Sequence, residues 1–375
     1  MYCPIIDLAK ALVSIPSISP LDLQCQNILL KRLLALGFNI MLFKNKHTSN
    51  FWAYRGIGVT LSFAGHTDVV PAGILMNWKY PPFIPVIRDG LLFGRGIADM
   101  KGSLAAMIIA AERFIVSNMN YLGRLSFLVT SDEESSAIDG TIRLVEYLKS
   151  INDYINFCIV GEPTSDHIIG DTIKIGRRGS LHANISIYGV QGHIAYPQFA
   201  ENPIHNAAPF INSLINTIWT TGNKYFTATS LQISDIYSGN NSENIIPGAL
   251  HIRCNFRFGT DISVEKLQFD LNSLLKKFDL KYSIKWKLSG LPFLTSANQL
   301  TTIVKTVIQS IYNTNSHLST DGGISDGRFL KLISNELIEL GLQNRTIHKV
   351  NEHVKVQDLQ MLSIIYEHII KKILT

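Results

Sequence analysis

Leu61-Ser-Phe-Ala-Gly-His-Thr-Asp68 is a short apolar run that stops abruptly on an imidazole and a carboxylate. Four apolar-rich positions bounded by polar residues fit a buried strand better than a helix. The same design recurs twice. Leu125-Ser-Phe-Leu-Val129 runs into Ser131-Asp-Glu-Glu134, and Phe157-Cys-Ile-Val160 runs into Gly161-Glu-Pro-Thr164. Between these runs, residues 102–116 read as an apolar helix and 139–148 as a second one. Strands alternating with helices predict an α/β domain whose mixed sheet is largely parallel and flanked by helices.

Working outward, residues 7–13 and 24–36 have helical apolar spacing, and Gly37 stands where a C-cap glycine would. The pattern changes near Gly179. Residues 181–188 (Leu-His-Ala-Asn-Ile-Ser-Ile-Tyr) alternate, which suits a strand with one wet face. Further alternating strands are expected near 229–233, 250–258 and 282–286, separated by helices at 203–217 and 264–278. This is the pattern of a smaller α+β domain on an antiparallel sheet. After Pro292 the first pattern returns: a helix at 300–312, a strand at 336–340 and a closing helix at 357–373. The expectation is a discontinuous domain, 1–179 with 293–375, interrupted by an inserted domain at 180–292.

Composition narrows the function classes. In 375 residues, 46% are hydrophobic and 17% charged, enough apolar matter for ordinary cores and too little charge for a disordered chain. The net charge of +5 is spread out, with small clusters at 44–46 and Arg177-Arg178. Nothing resembles a nucleic-acid arm. No run approaches the ~20 apolar residues of a membrane span, and the N-terminus reads as an amphipathic helix, not a leader. Cys3, Cys25, Cys158 and Cys254 form no CxxC pair, so a reducing, cytoplasmic setting without disulfides is expected.

The chemistry gathers at the strand ends, where open α/β sheets place their ligands. In an extended segment His66 and Asp68 project to one side, so the carboxylate can orient the imidazole. Glu133 and Glu134 diverge as neighbours, leaving one free to act as a base while the other binds a metal. Glu162 ends the third run, His348 follows the fourth, and Asp99 precedes the 102–116 helix. Each has a bland alternative: a surface turn for His66 and Glu162, a solvated helix start for the acidic run, an N-cap for Asp99, a structural histidine for His348. Together, two His and several carboxylates with no Cys suit a hydrolytic divalent-metal centre more than a structural zinc site.

Five segments then carry a resemblance. They are Phe63-Ala-Gly-His-Thr-Asp-Val-Val-Pro71, Gly94-Arg-Gly-Ile-Ala-Asp-Met-Lys-Gly-Ser103, Thr130-Ser-Asp-Glu-Glu134, Gly161-Glu-Pro-Thr164 and Thr346-Ile-His-Lys349. In register over nearly the whole chain, they resemble the dinuclear zinc amidohydrolases of the M20 peptidase family. Gly176-Arg-Arg-Gly-Ser180, Gly189-Val-Gln-Gly-His-Ile-Ala-Tyr-Pro197, Asn255-Phe-Arg-Phe258 and Ser325-Asp-Gly-Arg-Phe329 are similar to a subfamily of linear-amide deacylases whose substrate carries several carboxylates.

The resemblance implies two zinc ions per subunit, with cobalt able to substitute. Asp99 would bridge them, His66 and Glu162 would complete one site, and Glu134 and His348 the other. Asp68 would orient His66, and Glu133 would be the general base. The inserted domain would be a dimerisation lid that sends His193 to the partner's site in a homodimer, as an oxyanion donor. Arg177 and Arg257 would bind substrate carboxylates, with polar contacts from Tyr196, Asn244, Gly323 and Asn344, Asn244 coming from the partner.

Four positions depart from the subfamily pattern. Ile324 replaces a substrate-bonding Thr, Asp321 adds negative charge, Leu342 stands where Pro is expected, and Ile97 replaces a small residue. No presumed ligand is affected. A lost neutral hydrogen bond at Ile324 would cost on the order of 1 kcal/mol. A related deacylase or dipeptidase, and a non-catalytic binder descended from such enzymes, stay open as alternatives.

Overall fold

A computed structural model describes residues 3–375 apart from 46, 240–241 and 297, so Lys46 of the basic 44–46 cluster lies outside the described residues. The chain divides into two compact units. The larger holds Met1–Gly176, Thr295–Ser319 and Ser325–Thr375; the smaller holds Arg177–Leu294 and Thr320–Ile324.

The larger unit is built on an eight-stranded mixed sheet. Its centre is four parallel strands in the spatial order Gly123–Thr130, Thr60–His66, Ile155–Val160, Ser334–Glu339. The antiparallel pair Asn39–Lys44 and Ser49–Ile57 extends one side, and the short strands Thr172–Lys174 and His317–Ser319 extend the other. The central strands are apolar along their length because both faces are covered. Leu61, Phe63, Leu125, Phe127, Cys158 and Ile159 are buried. Helix Gly102–Ser117 buries twelve of its 16 residues, as expected of a helix apolar all round. Helix Val356–Leu374 brings Tyr366 onto Phe63, ring centroids 5.1 Å apart, and the Tyr366 hydroxyl donates to the Leu340 carbonyl. Tyr147 of helix Thr141–Ser150 lies on Phe43 and Trp52.

The smaller unit has a four-stranded antiparallel sheet in the order Ser230–Tyr237, Ala249–Phe258, Gly179–Tyr188, Lys281–Gly290. Alternation places Leu181, Ala183, Ile185 and Ile187 on one face with Leu250, Ile252, Cys254, Phe256 and Phe258. Helices Pro203–Asn216 and Val264–Lys276 cover that face with Ala207, Phe210 and Leu214 and with Leu267, Leu271 and Leu275, spaced at three and four. Asn202 and Ser263 cap the two helices through their side chains. All four cysteines are free, and no helix among the described residues is long and apolar enough to cross a membrane.

Candidate metal centre

The parallel register aligns the strand ends. His66 stands opposite Thr130, Ala64 opposite Val160, and Val160 opposite Glu339. The chain therefore leaves the sheet at one edge when it enters His66–Asp68, Ser131–Glu134 and Gly161–Glu162. Gly341, just past the fourth strand, lies against this edge: a Cβ there would collide with the carbonyl oxygens of Gly161 and Glu162. His348 is farther along that loop, in the left-handed region at φ 58°, a sparsely populated conformation for a non-glycine residue and one that clusters at functional sites.

Asp99 is not the N-cap of the following helix. The cap position is Lys101, which makes no side-chain capping bond. Asp99 has extended, non-helical φ/ψ of −125° and 94°. One oxygen, Oδ1, lies 3.2 Å from His66 Nε2, and the other, Oδ2, lies 3.4 Å from His348 Nε2. Glu162 Oε1 is 3.7 Å from the same His66 nitrogen, and Glu134 Oε1 is 3.0 Å from the same His348 nitrogen. Two donor triads result, His66–Asp99–Glu162 and Asp99–Glu134–His348, each with ligand atoms within 4.8 Å of one another. Asp99 belongs to both. Glu133 joins His66 and Glu134 in a third such group.

The electrostatics fit divalent cations. Burial alone would lower the pKa of His66, but the Asp99 hydrogen bond and the Asp68, Glu133 and Glu162 charges hold it well above normal. Hydrogen bonds to Asp99 and Glu134 push His348 up to about 10. Burial works to raise Asp99, yet the two imidazoles pull it well below the normal carboxylate range. Both imidazoles are drawn toward protonation by a surplus of buried and half-buried carboxylates. Imidazole and carboxylate are the donors that zinc and its neighbours accept, and one imidazole and two carboxylates surround each half.

Glu133 is held differently. Burial, then the Glu162 carboxylate, raises its pKa well above that of a free carboxyl. Asp68 reaches both regions. Its main-chain oxygen is 2.9 Å from His66 Nδ1, while its own Oδ1 is 3.6 Å away, so the closer contact to the ring is from the backbone. Its Oδ2 accepts the backbone N–H groups of Glu133 and Glu134, each at 3.0 Å. The Asp68 carboxylate thus anchors the loop carrying the two glutamates, while its main-chain oxygen meets the His66 ring.

Some residues here have roles that the sequence pattern does not single out. Asp132 reads as one acid in a run, yet its carboxylate accepts from Ser135 Oγ and from the N–H groups of Ile138 and Asp139, shaping the loop. Asp326 is buried, and that burial raises it to about 6 against the opposing Arg328 charge and a Thr141 hydrogen bond. Glu352 is a lone acid in sequence and a buried anchor in the fold.

The expected substrate residues fall in both units. In the smaller one, His193 pairs with Ile245, Ile194 N–H donates to Asn244 O at 3.1 Å, and the His193 and Tyr196 rings are 5.6 Å apart. His193, Tyr196 and Asn244 therefore form one exposed group. The Ala195 N–H donates to His193 Nδ1 at 3.0 Å, so a neutral ring carries its proton on Nε2 and presents it outward. Arg177 is buried and donates to the Asp321 main-chain oxygen at 3.2 Å, and Gly323 and half-buried Ile324 follow in the same segment. Arg257, half-buried, has its pKa lowered by burial and by Arg178, a cation that the motif contains but its spacing does not single out. In the larger unit, exposed Asn344 donates its N–H to Ser165 O at 3.0 Å.

Comparison with known proteins places the chain among similar sequences and folds. Succinyl-diaminopimelate desuccinylases of Buchnera aphidicola subsp. Acyrthosiphon pisum, strains APS and Tuc7, are each 55% identical to this chain over 378 residues, covering 100% of both sequences. An M20 family metallo-carboxypeptidase from Sulfolobus solfataricus has the same fold, with a TM-score of 0.80 and 19% identity over 99% of each chain. A dinuclear metal-binding peptidase of the M20 family from Bacillus subtilis superposes with a TM-score of 0.72 at 15% identity, covering 98% of this chain and 97% of that one. The model of peptidase family M20/M25/M40 matches residues 62–372. With fold and sequence in agreement, the chain belongs to peptidase family M20/M25/M40.

Proposed function

We propose that this protein hydrolyses the amide of N-succinyl-LL-2,6-diaminopimelate to succinate and LL-2,6-diaminopimelate, a step toward lysine and cell-wall diaminopimelate, using two zinc ions per subunit. The observation that carries the metal chemistry is the division of the Asp99 carboxylate, one oxygen toward each imidazole. The substrate follows from the name of relatives 55% identical over the full length.

In this reading Asp99 would serve both ions, with His66 and Glu162 holding one and Glu134 and His348 holding the other. Bound zinc would polarise the amide carbonyl and make a water acidic enough to attack near neutral pH. Glu133 takes the proton from the attacking water and delivers it to the leaving amine. Its raised pKa suits a group that must first accept and then donate. Asp68 holds both His66 and the Glu133–Glu134 backbone in place.

The segment 180–292 acts as an inserted lid through which a homodimer forms, and the protein works in the cytoplasm. His193 donates from Nε2 to the oxyanion in the partner's site, with Asn244 beside it. Arg177 and Arg257 take substrate carboxylates, for which guanidinium forks are suited. Tyr196, Gly323 and Asn344 supply polar contacts, and Ile324 lines the substrate without the hydroxyl of the Thr it replaces. The test is succinate release by purified protein, stripped with a chelator and reloaded with Zn²⁺, with N-acetylornithine as the competing substrate. Zinc-dependent release from the succinylated compound is expected. Absence of release with two zinc ions bound would overturn the assignment, and faster turnover of acetylornithine would move it to a related deacylase.

A further inference from the structure

Glu352 lies outside the presumed ligands, four residues beyond His348, and is 1% exposed. Its carboxylate accepts four hydrogen bonds, all from the segment that ends on Asp99. Oε2 takes Arg95 Nη1 at 2.6 Å and the Gly96 N–H at 2.9 Å. Oε1 takes the N–H groups of Ala98 at 2.9 Å and Asp99 at 3.2 Å. The main chain adds a fifth tie, from Gly94 N–H to Glu352 O at 3.0 Å. Just beyond, strand His353–Lys355 pairs antiparallel with Leu91–Phe93, with His353 opposite Phe93. The guanidinium of Arg95 also lies over the Trp78 ring, 5.2 Å from its centroid.

The segment around Asp99 is irregular, with non-helical φ/ψ at Asp99 and Met100, so its N–H groups cannot be served by an ordinary helical ladder. Glu352 serves three of them at once. It does so from the same loop that carries His348, so the bonds that hold Asp99 also set how far it stands from that imidazole. A carboxylate is the only side chain able to do this: it has about four acceptor sites and no donor.

We propose that Glu352 is a positioning residue of the metal centre, a buried carboxylate that ties the Asp99 segment to the His348 loop and fixes the separation of their ligand atoms before any metal binds. This rests on the dinuclear reading above. Outer partners of metal ligands typically change affinity by about ten- to a hundredfold when altered.

The experiment is a calorimetric titration of the metal-free full-length protein with Zn²⁺, alongside thermal unfolding of the same samples. Glu352→Gln keeps the shape but turns an NH2 toward backbone N–H groups, and Glu352→Asp keeps the charge with a shorter reach. Glu336→Gln is the control. The Glu336 carboxylate also holds two backbone N–H groups, those of Gln299 and Leu300, with no tie to Asp99. Both Glu352 variants should bind zinc at least tenfold more weakly while folded, and the absorption bands of Co²⁺-loaded protein should shift. Glu336→Gln should lower the unfolding temperature and leave zinc affinity unchanged. Wild-type affinity in a folded Glu352 variant would reduce Glu352 to a structural anchor and overturn the proposal. Wild-type protein that takes up no zinc would instead overturn the dinuclear reading itself. Should neither variant accumulate folded, hydrogen exchange in the metal-free wild type carries the test. Strong protection of the Gly96, Ala98 and Asp99 amides is expected, and rapid exchange there would sink the proposal.

Discussion

Glu133 and Glu134 are chemically identical neighbours with different surroundings. Glu134 Oε1 meets His348 at 3.0 Å, whereas burial and the Glu162 charge keep Glu133 high in pKa. Glu133→Ala should therefore cut turnover by roughly 10²–10⁴-fold, the range of a lost general base, while both metals stay bound. Metal analysis alongside kinetics checks this, and loss of an ion would mean the two roles are exchanged. His348 makes a pH prediction in the metal-free protein. Its folded pKa of about 10 exceeds the ordinary 6.5 because of its bonds to Asp99 and Glu134. A raised pKa contributes stability that is complete below the unfolded value and fades as pH rises through the folded one. The unfolding midpoint of the metal-free protein should drop between about pH 6.5 and 10. Zinc-loaded protein should lack that drop, because a ligated imidazole has already lost its proton. Equal profiles with and without zinc would contradict the ion pairing.

At the level of elements, the three apolar runs that end in His66, Glu133–Glu134 and Glu162 were readable for a simple reason. Buried parallel strands leave continuous apolar stretches, and the polar residues just past their carboxyl ends gather along one edge of the sheet. The smaller sheet was readable from alternation, and its helices from three- and four-residue spacing. The strands Thr172–Lys174 and His317–Ser319 were not, being three residues long and paired only with distant chain. Leu342, a departure from the subfamily pattern, has a structural place. It is fully buried, and its Cδ1 fills the space where a side chain on Gly102 would begin. Leu342→Ala should cost about 2–5 kcal/mol of stability as a core cavity, measured by denaturant unfolding of the metal-loaded protein. A change below 1 kcal/mol, roughly the level of a surface substitution, would show that the site collapses around the smaller residue.

For the whole molecule, the test of a shared active site is complementation. His193→Ala alone should lower turnover by about 10²–10³-fold, the loss seen when one oxyanion donor is removed, with zinc still bound. Mixing it with Glu133→Ala creates dimers in which one site has both groups intact if His193 crosses to the partner. Activity should then recover toward half of wild type per mixed dimer, and no recovery would confine His193 to its own subunit. What sequence alone determined is the inventory and its order: strand-end acids and histidines, a change of pattern near 179, a return near 293, and the motifs of one family. Those are properties of local spacing, and local spacing survives in a linear string. The shared position of Asp99 between two imidazoles, the double duty of Asp68, and the grip of Glu352 on a loop more than 250 residues away came only with folding. A buried carboxylate looks the same in a string whether it binds a metal, takes a proton or holds a backbone. The donors that surround it, brought from distant parts of the chain, make the difference.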